Sequence, residues 1–361
     1  MNLPVRILGW DVLRGLCALS VMVYHLLYWQ GLATLSTLGT YGVYLFFILS
    51  GASLAYVYDT RALGTLRGAS AFLAVRWLRL APLYIVVCAL FLAMLAARNG
   101  QRVEVGGLWV LLNLSFLFGA FTPSLSSFAI GGWSLGIEFM FYLALPLLVR
   151  TLPSRTLRTV LLVALVVLQW IWIDRTVGTL GLAVSTHSYH QVPAFAAYFF
   201  AGCLIGHSRR SSTLDLSGRW GLVVWAAIAG LLLALAPSVS GDELIGVRGV
   251  VLPLACVAAV WASGQVVVAP RLRPLAQWLG DVTYGTYLLH PLIFFGFTWF
   301  VLQQWTREPI EALPVIARCA LLVVAVALSC LLAAVSERVF ERPVRTAGRR
   351  LLAQWMPPRG A

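Results

Sequence analysis

Residues 7–29 read Ile7-Leu-Gly-Trp-Asp11-Val-Leu-Arg14-Gly-Leu-Cys-Ala-Leu-Ser-Val-Met-Val-Tyr-His25-Leu-Leu-Tyr-Trp29. At about 1.5 Å of rise per residue, such a stretch is long enough to cross a bilayer core of roughly 30 Å as a helix. Yet it carries Asp11, Arg14 and His25. Ionisable groups at membrane depth are costly unless they face protein or water. At about 100° per residue, the step from Arg14 to His25 returns to within roughly 20° of the same face and separates the two by roughly 16 Å along the axis. Asp11 lies one turn before Arg14 and is close enough to neutralise it. The pattern predicts a helix that turns one polar stripe toward an internal cavity. A guanidinium near one end would anchor an anion, and an imidazole near the other would handle a proton.

The rest of the chain supports a membrane setting. Its 361 residues are 60% hydrophobic and only 11% charged, with a mean hydropathy of +0.88. These values predict an all-α polytopic membrane protein and exclude an ordinary soluble domain. A net charge of +13 would suggest nucleic acid in a soluble protein, but here the basic residues, all arginine, follow membrane topology, so no nucleic-acid partner is expected. The first apolar run is too long and too polar within for a cleaved signal. The six cysteines fall in or beside apolar spans without a CxxC pair, which predicts neither a disulfide framework nor a metal site. His187 and His190 have no clear third ligand, so no metal is predicted there either.

After Ile7–Trp29, further spans are expected at Gly39–Tyr58, Leu78–Ala97, Ser134–Val149, Leu157–Ile173, Val192–Gly206, Trp220–Ala236, Gly249–Val268, Thr283–Gln303 and Pro314–Ser336. That is about ten transmembrane helices around a polar central cavity. Leu108–Phe121 is apolar but only about 14 residues long, which suits a re-entrant or interfacial segment. With the N-terminus inside, nineteen arginines fall in inner loops or the tail and five in outer loops, leaving Arg14 and Arg318 in the membrane. Counting Leu108–Phe121 as a crossing would invert every later loop and destroy this asymmetry. Both termini are therefore expected in the cytoplasm. Residues 1–345 read as one membrane domain and 346–361 as a short basic cytoplasmic tail. On this topology Arg14, Arg76 and Arg79 lie toward the inner side. His25 lies near the outer end, with Glu138 at a similar depth, and His290 two turns into its span, in the inner half.

Asp11-Val-Leu-Arg14-Gly15 followed by His25 resembles the Arg-x10-His signature of the type-3 integral membrane acyltransferases. Phe46-Phe47-Ile-Leu-Ser50-Gly51 resembles that family's second-helix motif, and Arg76-Trp-Leu-Arg79 its Arg-x-x-Arg motif. Trp133-Ser134-Leu135 with Glu138 and Tyr142 resembles its Trp-Ser-Leu-x-x-Glu segment. Tyr287-Leu-Leu-His290-Pro291 and Glu341-Arg342-Pro343 resemble its two late motifs. The six matches occur in order from residue 11 to residue 343. Two positions depart from the pattern: Leu45 replaces the usual Asp before Phe46-Phe47, and Thr283 stands where a Ser often precedes the late Tyr.

The resemblance implies an O-acyltransferase that moves an acyl group, most often acetyl, from cytosolic acyl-CoA to a hydroxyl of a cell-surface or lipid-linked carbohydrate. Removing a hydroxyl proton near pH 7 suits a neutral imidazole. His25 is the expected base, with Glu138 as its orienter or as an alternative base. Arg76 and Arg79 at the inner mouth suit forked binding of donor phosphates, and Arg14 would hold the donor deeper. Tyr287 and His290 are further donor-site candidates, Trp133 and Ser134 acceptor-site candidates, and Asp11 and Glu341 structural supports. Acyl-CoA, a carbohydrate or glycolipid acceptor and membrane lipid are the expected partners, and the bacterial inner membrane is the expected location. A transporter or flippase of glycan or lipid precursors is the rival reading. Against it, the sequence has neither repeated halves nor paired broken helices.

Overall fold

The computed structural model describes residues 6–58, 63–100, 103–152, 154–212, 214–235, 241–302 and 309–355. Of the arginines used to assign topology, Arg61, Arg102, Arg307 and Arg359 lie outside the described residues. So do the end of the expected span at Gln303 and the last six residues of the expected tail, 356–361.

The described chain is helical, with a single isolated bridge between Leu216 and Val266 and no strand. The principal helices are α1 (Leu8–Trp29), α2 (Ser36–Val57), α3 (Leu66–Asn99), α4 (Gly107–Ser115), α5 (Trp133–Thr151), α6 (Arg155–Ile173) and α7 (Leu182–Tyr189). They continue with α8 (Ala196–Ser211), α9 (Gly218–Leu235), α10 (Arg248–Ser263), α11 (Arg273–Phe297), α12 (Val315–Ser336) and α13 (Arg342–Trp355). Six helical segments among the described residues are long and apolar enough to cross a membrane: α1, α2, α3, α5, α6 with its π-turn extension, and Val315–Leu352. The other expected spans correspond to α8 to α11. Of these, α9 and α10 are apolar but shorter, whereas α11 is long but carries Arg273, Gln277, Asp281 and His290.

Two expected helix starts shift by ten residues or more. α3 begins at Leu66, twelve residues before the predicted Leu78, so Arg76 and Arg79 project from the body of a helix. α11 begins at Arg273, ten residues before the predicted Thr283. His290 is therefore 17 residues into its helix, about 25 Å along the axis, and it reaches the level of His25 instead of the inner half. Hydropathy placed both starts too late because polar residues occupy the first turns of these helices.

The segment expected to be re-entrant or interfacial forms the nine-residue α4, about 14 Å long and too short to cross. It ends at Phe116, which takes the left-handed conformation with φ 59°. That conformation is unfavourable for a bulky side chain. Here packing against Tyr84, Phe118 and Phe139 holds it, and Phe116 is fully buried. Asn113 secures the turn: its Oδ1 accepts from the Tyr84 hydroxyl at 2.7 Å and from Phe128 N–H at 3.1 Å, and its Nδ2 donates to the Ser126 carbonyl at 2.8 Å.

α1 packs on α2 and α11, α2 on α8, and α11 on α12. Contact between α2 and α8 is backbone to backbone. A Cβ on Gly51 would lie 2.0 Å from the Phe199 carbonyl oxygen, and Cβ atoms on Gly202 and Gly206 would lie 2.0 Å from the carbonyl oxygens of Ile48 and Ala52. Small residues spaced four apart permit this approach, as they do in membrane helix pairs generally. The α12 helix passes through one π turn, Glu337–Glu341, into α13, which continues across residue 345 without a break.

Candidate active site

α1 supplies the polar stripe. Asp11 is 4% exposed and receives hydrogen bonds from two arginines. Arg14 Nη1 donates to its Oδ1 at 3.1 Å, and Arg6 Nε donates to its Oδ2. Arg6 also pairs with Asp281 of α11 at 2.8 Å, so it clamps α1 to α11. The clamp was not anticipated, because Arg6 reads as one of many inner-side arginines. Arg14 reaches across to α2, where its Nη2 donates to the Ser53 hydroxyl and, at 3.3 Å, to the Leu49 carbonyl.

Arg14, Ser50, Ser53, Arg76, Arg79, Glu138, Tyr142 and Tyr287 are among the residues that line a cavity of about 110 Å³. That volume has room for a few waters or a short acyl group. Glu138 Oε1 accepts from the Ser50 hydroxyl at 2.6 Å and from the Tyr142 hydroxyl at 2.5 Å. Arg76 Nη2 donates to the Tyr58 hydroxyl at 3.0 Å, and its guanidinium lies over the Tyr58 ring at 5.3 Å. Its Nε is buried without a hydrogen-bond partner among the described residues. Arg79, one turn on, is exposed and has no hydrogen-bond or ion-pair partner among the described residues. A cavity with uncommitted guanidinium donors at its rim suits an anion.

His25 and His290 form a separate pair beyond Tyr287. His25 Nδ1 lies 3.0 Å from His290 Nε2, and His25 stacks on Trp29 with the rings 4.9 Å apart and nearly parallel. Neither imidazole is among the residues lining the cavity. Tyr287 faces the cavity and also sits 6.2 Å, ring to ring, from His290. Its hydroxyl is 2.8 Å from the Ser134 hydroxyl and donates to the Gly131 carbonyl at 3.0 Å.

The depth expected for Glu138 needs correction. It bonds to Ser50, less than one turn from the Ser53 that holds Arg14, so it lies at the level of Arg14 and not of His25. The start of α5 is recessed: Ser134 meets Tyr287, which precedes His290 by nearly a turn. The hydrogen-bond partner of His25 is accordingly His290, not Glu138.

Trp133 stacks on His190 with centroids 3.8 Å apart. Burial, with a smaller contribution from nearby His187, pushes the His190 imidazole down to about 3. Glu341, 3% exposed, accepts from the Ser336 hydroxyl at 2.9 Å and lies 3.6 Å from Arg345. Its Oε1 faces Gly285 of α11, 3.4 Å from where a Cβ would stand on that glycine.

The family model of the acyltransferase domain matches residues 7–334. This covers most of the 361 residues, including α1 to α12 almost entire, and the chain belongs to that acyltransferase 3 family of membrane acyltransferases. Neither the curated proteins nor the solved structures offer a match to the chain.

Proposed function

We propose that the protein moves an acyl group, acetyl in the first instance, from cytosolic acyl-CoA to a hydroxyl of a cell-surface or lipid-linked carbohydrate. In this reading ten helices cross the bacterial inner membrane and both termini are cytoplasmic. The cavity rimmed by Arg76 and Arg79 opens toward the cytoplasm, and these arginines take the donor phosphates. Arg14 holds the donor deeper. Tyr287 stands between the donor cavity and the imidazole pair, and Trp133 and Ser134 border the acceptor side.

The reaction needs one proton moved twice. The acceptor hydroxyl attacks the thioester carbonyl, and His25 takes its proton as the C–O bond forms. The C–S bond then breaks, and the imidazolium returns the proton to the leaving thiolate. Glu138, fixed by Ser50 and Tyr142, bears on the donor side of this path and serves as the alternative base.

One observation carries the reading. A single helix holds an arginine bound into an anion-suited cavity and, 11 residues on, a histidine already engaged by a second ring. The test is transfer of label from radioactive acetyl-CoA in membranes containing the wild-type chain or His25→Ala. Label should pass to carbohydrate, with CoA released, only with the wild type. Full transfer by His25→Ala removes His25 as the base, and neither transfer nor CoA release by wild type favours the transporter.

A further inference from the structure

The hydrogen bonds around the two imidazoles determine which nitrogen of His25 is free. His290 Nδ1 lies 3.1 Å from the Thr286 carbonyl oxygen one turn earlier in α11. A carbonyl oxygen only accepts, so Nδ1 of His290 carries a hydrogen. His290 is 1% exposed, and its hydrogen-bond partners among the described residues include no carboxylate. A neutral ring with its hydrogen on Nδ1 has a bare Nε2. That Nε2 is the atom 3.0 Å from His25 Nδ1. The hydrogen between the rings therefore belongs to His25, which leaves the lone pair of His25 on Nε2. Among the described residues nothing bonds to His25 Nε2, and the residue is partly exposed.

We infer that His290 is a positioning residue that holds His25 in the Nδ1–H tautomer, so that Nε2 of His25 is the atom that accepts the substrate proton. This rests on the reading of His25 as the base. An isolated imidazole has two orientations and two tautomers, and an orienting partner selects one of each. The chain Thr286 C=O, His290, His25 fills the role that a carboxylate fills in many hydrolase triads. When His25 gains a proton on Nε2, its Nδ1–H bond to His290 becomes charge-assisted and strengthens. The proton taken from the hydroxyl thus stays on His25 until the leaving sulfur removes it, and His290 keeps its own.

Three variants and two readouts test this. In protein labelled with ¹⁵N-histidine and held in lipid nanodiscs, His25 should show a protonated Nδ1 and a bare Nε2. In His290→Phe, which keeps an aromatic ring against Trp29 and His25 but has no acceptor, that preference should be lost. Transfer should fall by about 10²-fold or more, with little change in KM for the donor. In His290→Gln, whose carbonyl oxygen can replace the Nε2 acceptor, the tautomer and most of the rate should return. His290→Leu should resemble His290→Phe. A bare Nδ1 on His25 in the wild type, or full activity in His290→Phe, overturns the inference. Activity retained in His25→Ala would instead overturn the catalytic reading and leave the tautomer result standing.

Discussion

Glu138 of α5 and Arg14 of α1 never touch, yet both are anchored to α2 within one turn, through Ser50 and Ser53 respectively. α2 is therefore the common wall that sets the spacing between a carboxylate and a guanidinium across the cavity. Substituting Glu138 with Gln keeps an acceptor for Ser50 and Tyr142 but removes the charge. We expect Glu138→Gln to lose transfer by about 10²-fold if the carboxylate moves protons or charge. Tyr142→Phe, which deletes one supporting bond, should lose less. Steady-state kcat/KM in nanodiscs separates the outcomes, and a Gln variant of normal activity would reduce Glu138 to a tether.

Arg79 stands exposed at the cavity rim, while Arg76 is half-buried and already bonded to Tyr58. Arg79→Ala should therefore raise KM for acyl-CoA about tenfold or more with kcat nearly unchanged, since a phosphate contact contributes about 1.5–3 kcal/mol as a charged hydrogen bond. Dephospho-CoA donors should lose part of that discrimination. Arg76→Ala should also lower thermal stability, because it removes the Tyr58 contact.

Asp11 is buried between Arg6 and Arg14. Both arginines that would lose their partner are at least partly exposed, so the cost is that of a charged hydrogen bond, about 1.5–3 kcal/mol. Asp11→Ala should accordingly unfold at lower temperature and bind less donor, as Arg14 loses its orientation. Asp281→Ala, which removes a half-exposed ion pair with Arg6, should cost under about 1 kcal/mol. Thermal melts monitored by tryptophan fluorescence compare the two.

His190 is held neutral in the fold, with its titration moved from 6.5 down to about 3. The unfolded chain binds that proton first as pH falls, so the contribution of His190 is complete above about pH 6.5 and is lost progressively toward pH 3. The melting temperature should decline across this window. His190→Phe preserves a stack on Trp133 without a titrating group and should flatten the decline. Equal slopes in both proteins would contradict the assignment.

What the sequence made legible was local. Asp11 and Arg14 stand one turn apart, and the helix rule joins them directly. The gathering of Arg14, Arg76, Arg79 and Glu138 around one cavity was legible only through the resemblance, since nothing in hydropathy links α1, α3 and α5. The pairing of His25 with His290 was not legible, because the two are 265 positions apart and polar residues concealed the first turns of α11. Asn113 escaped notice for a similar reason: an amide in a short apolar run looks incidental until its bonds to Tyr84, Ser126 and Phe128 are seen to close the turn.

The glycine seam between α2 and α8 bears on how a bulky donor gets in. Carbonyl oxygens already press against bare α-carbons there, so these two helices have no slack and must travel as one plate. Any breathing that widens the entrance falls to helices outside that seam, among them α3, which carries Pro82 in its interior and can flex at that missing hydrogen bond. Opening and closing would then swing Arg76 and Arg79 as a hinged lip while the floor that holds Arg14 and Glu138 stays still.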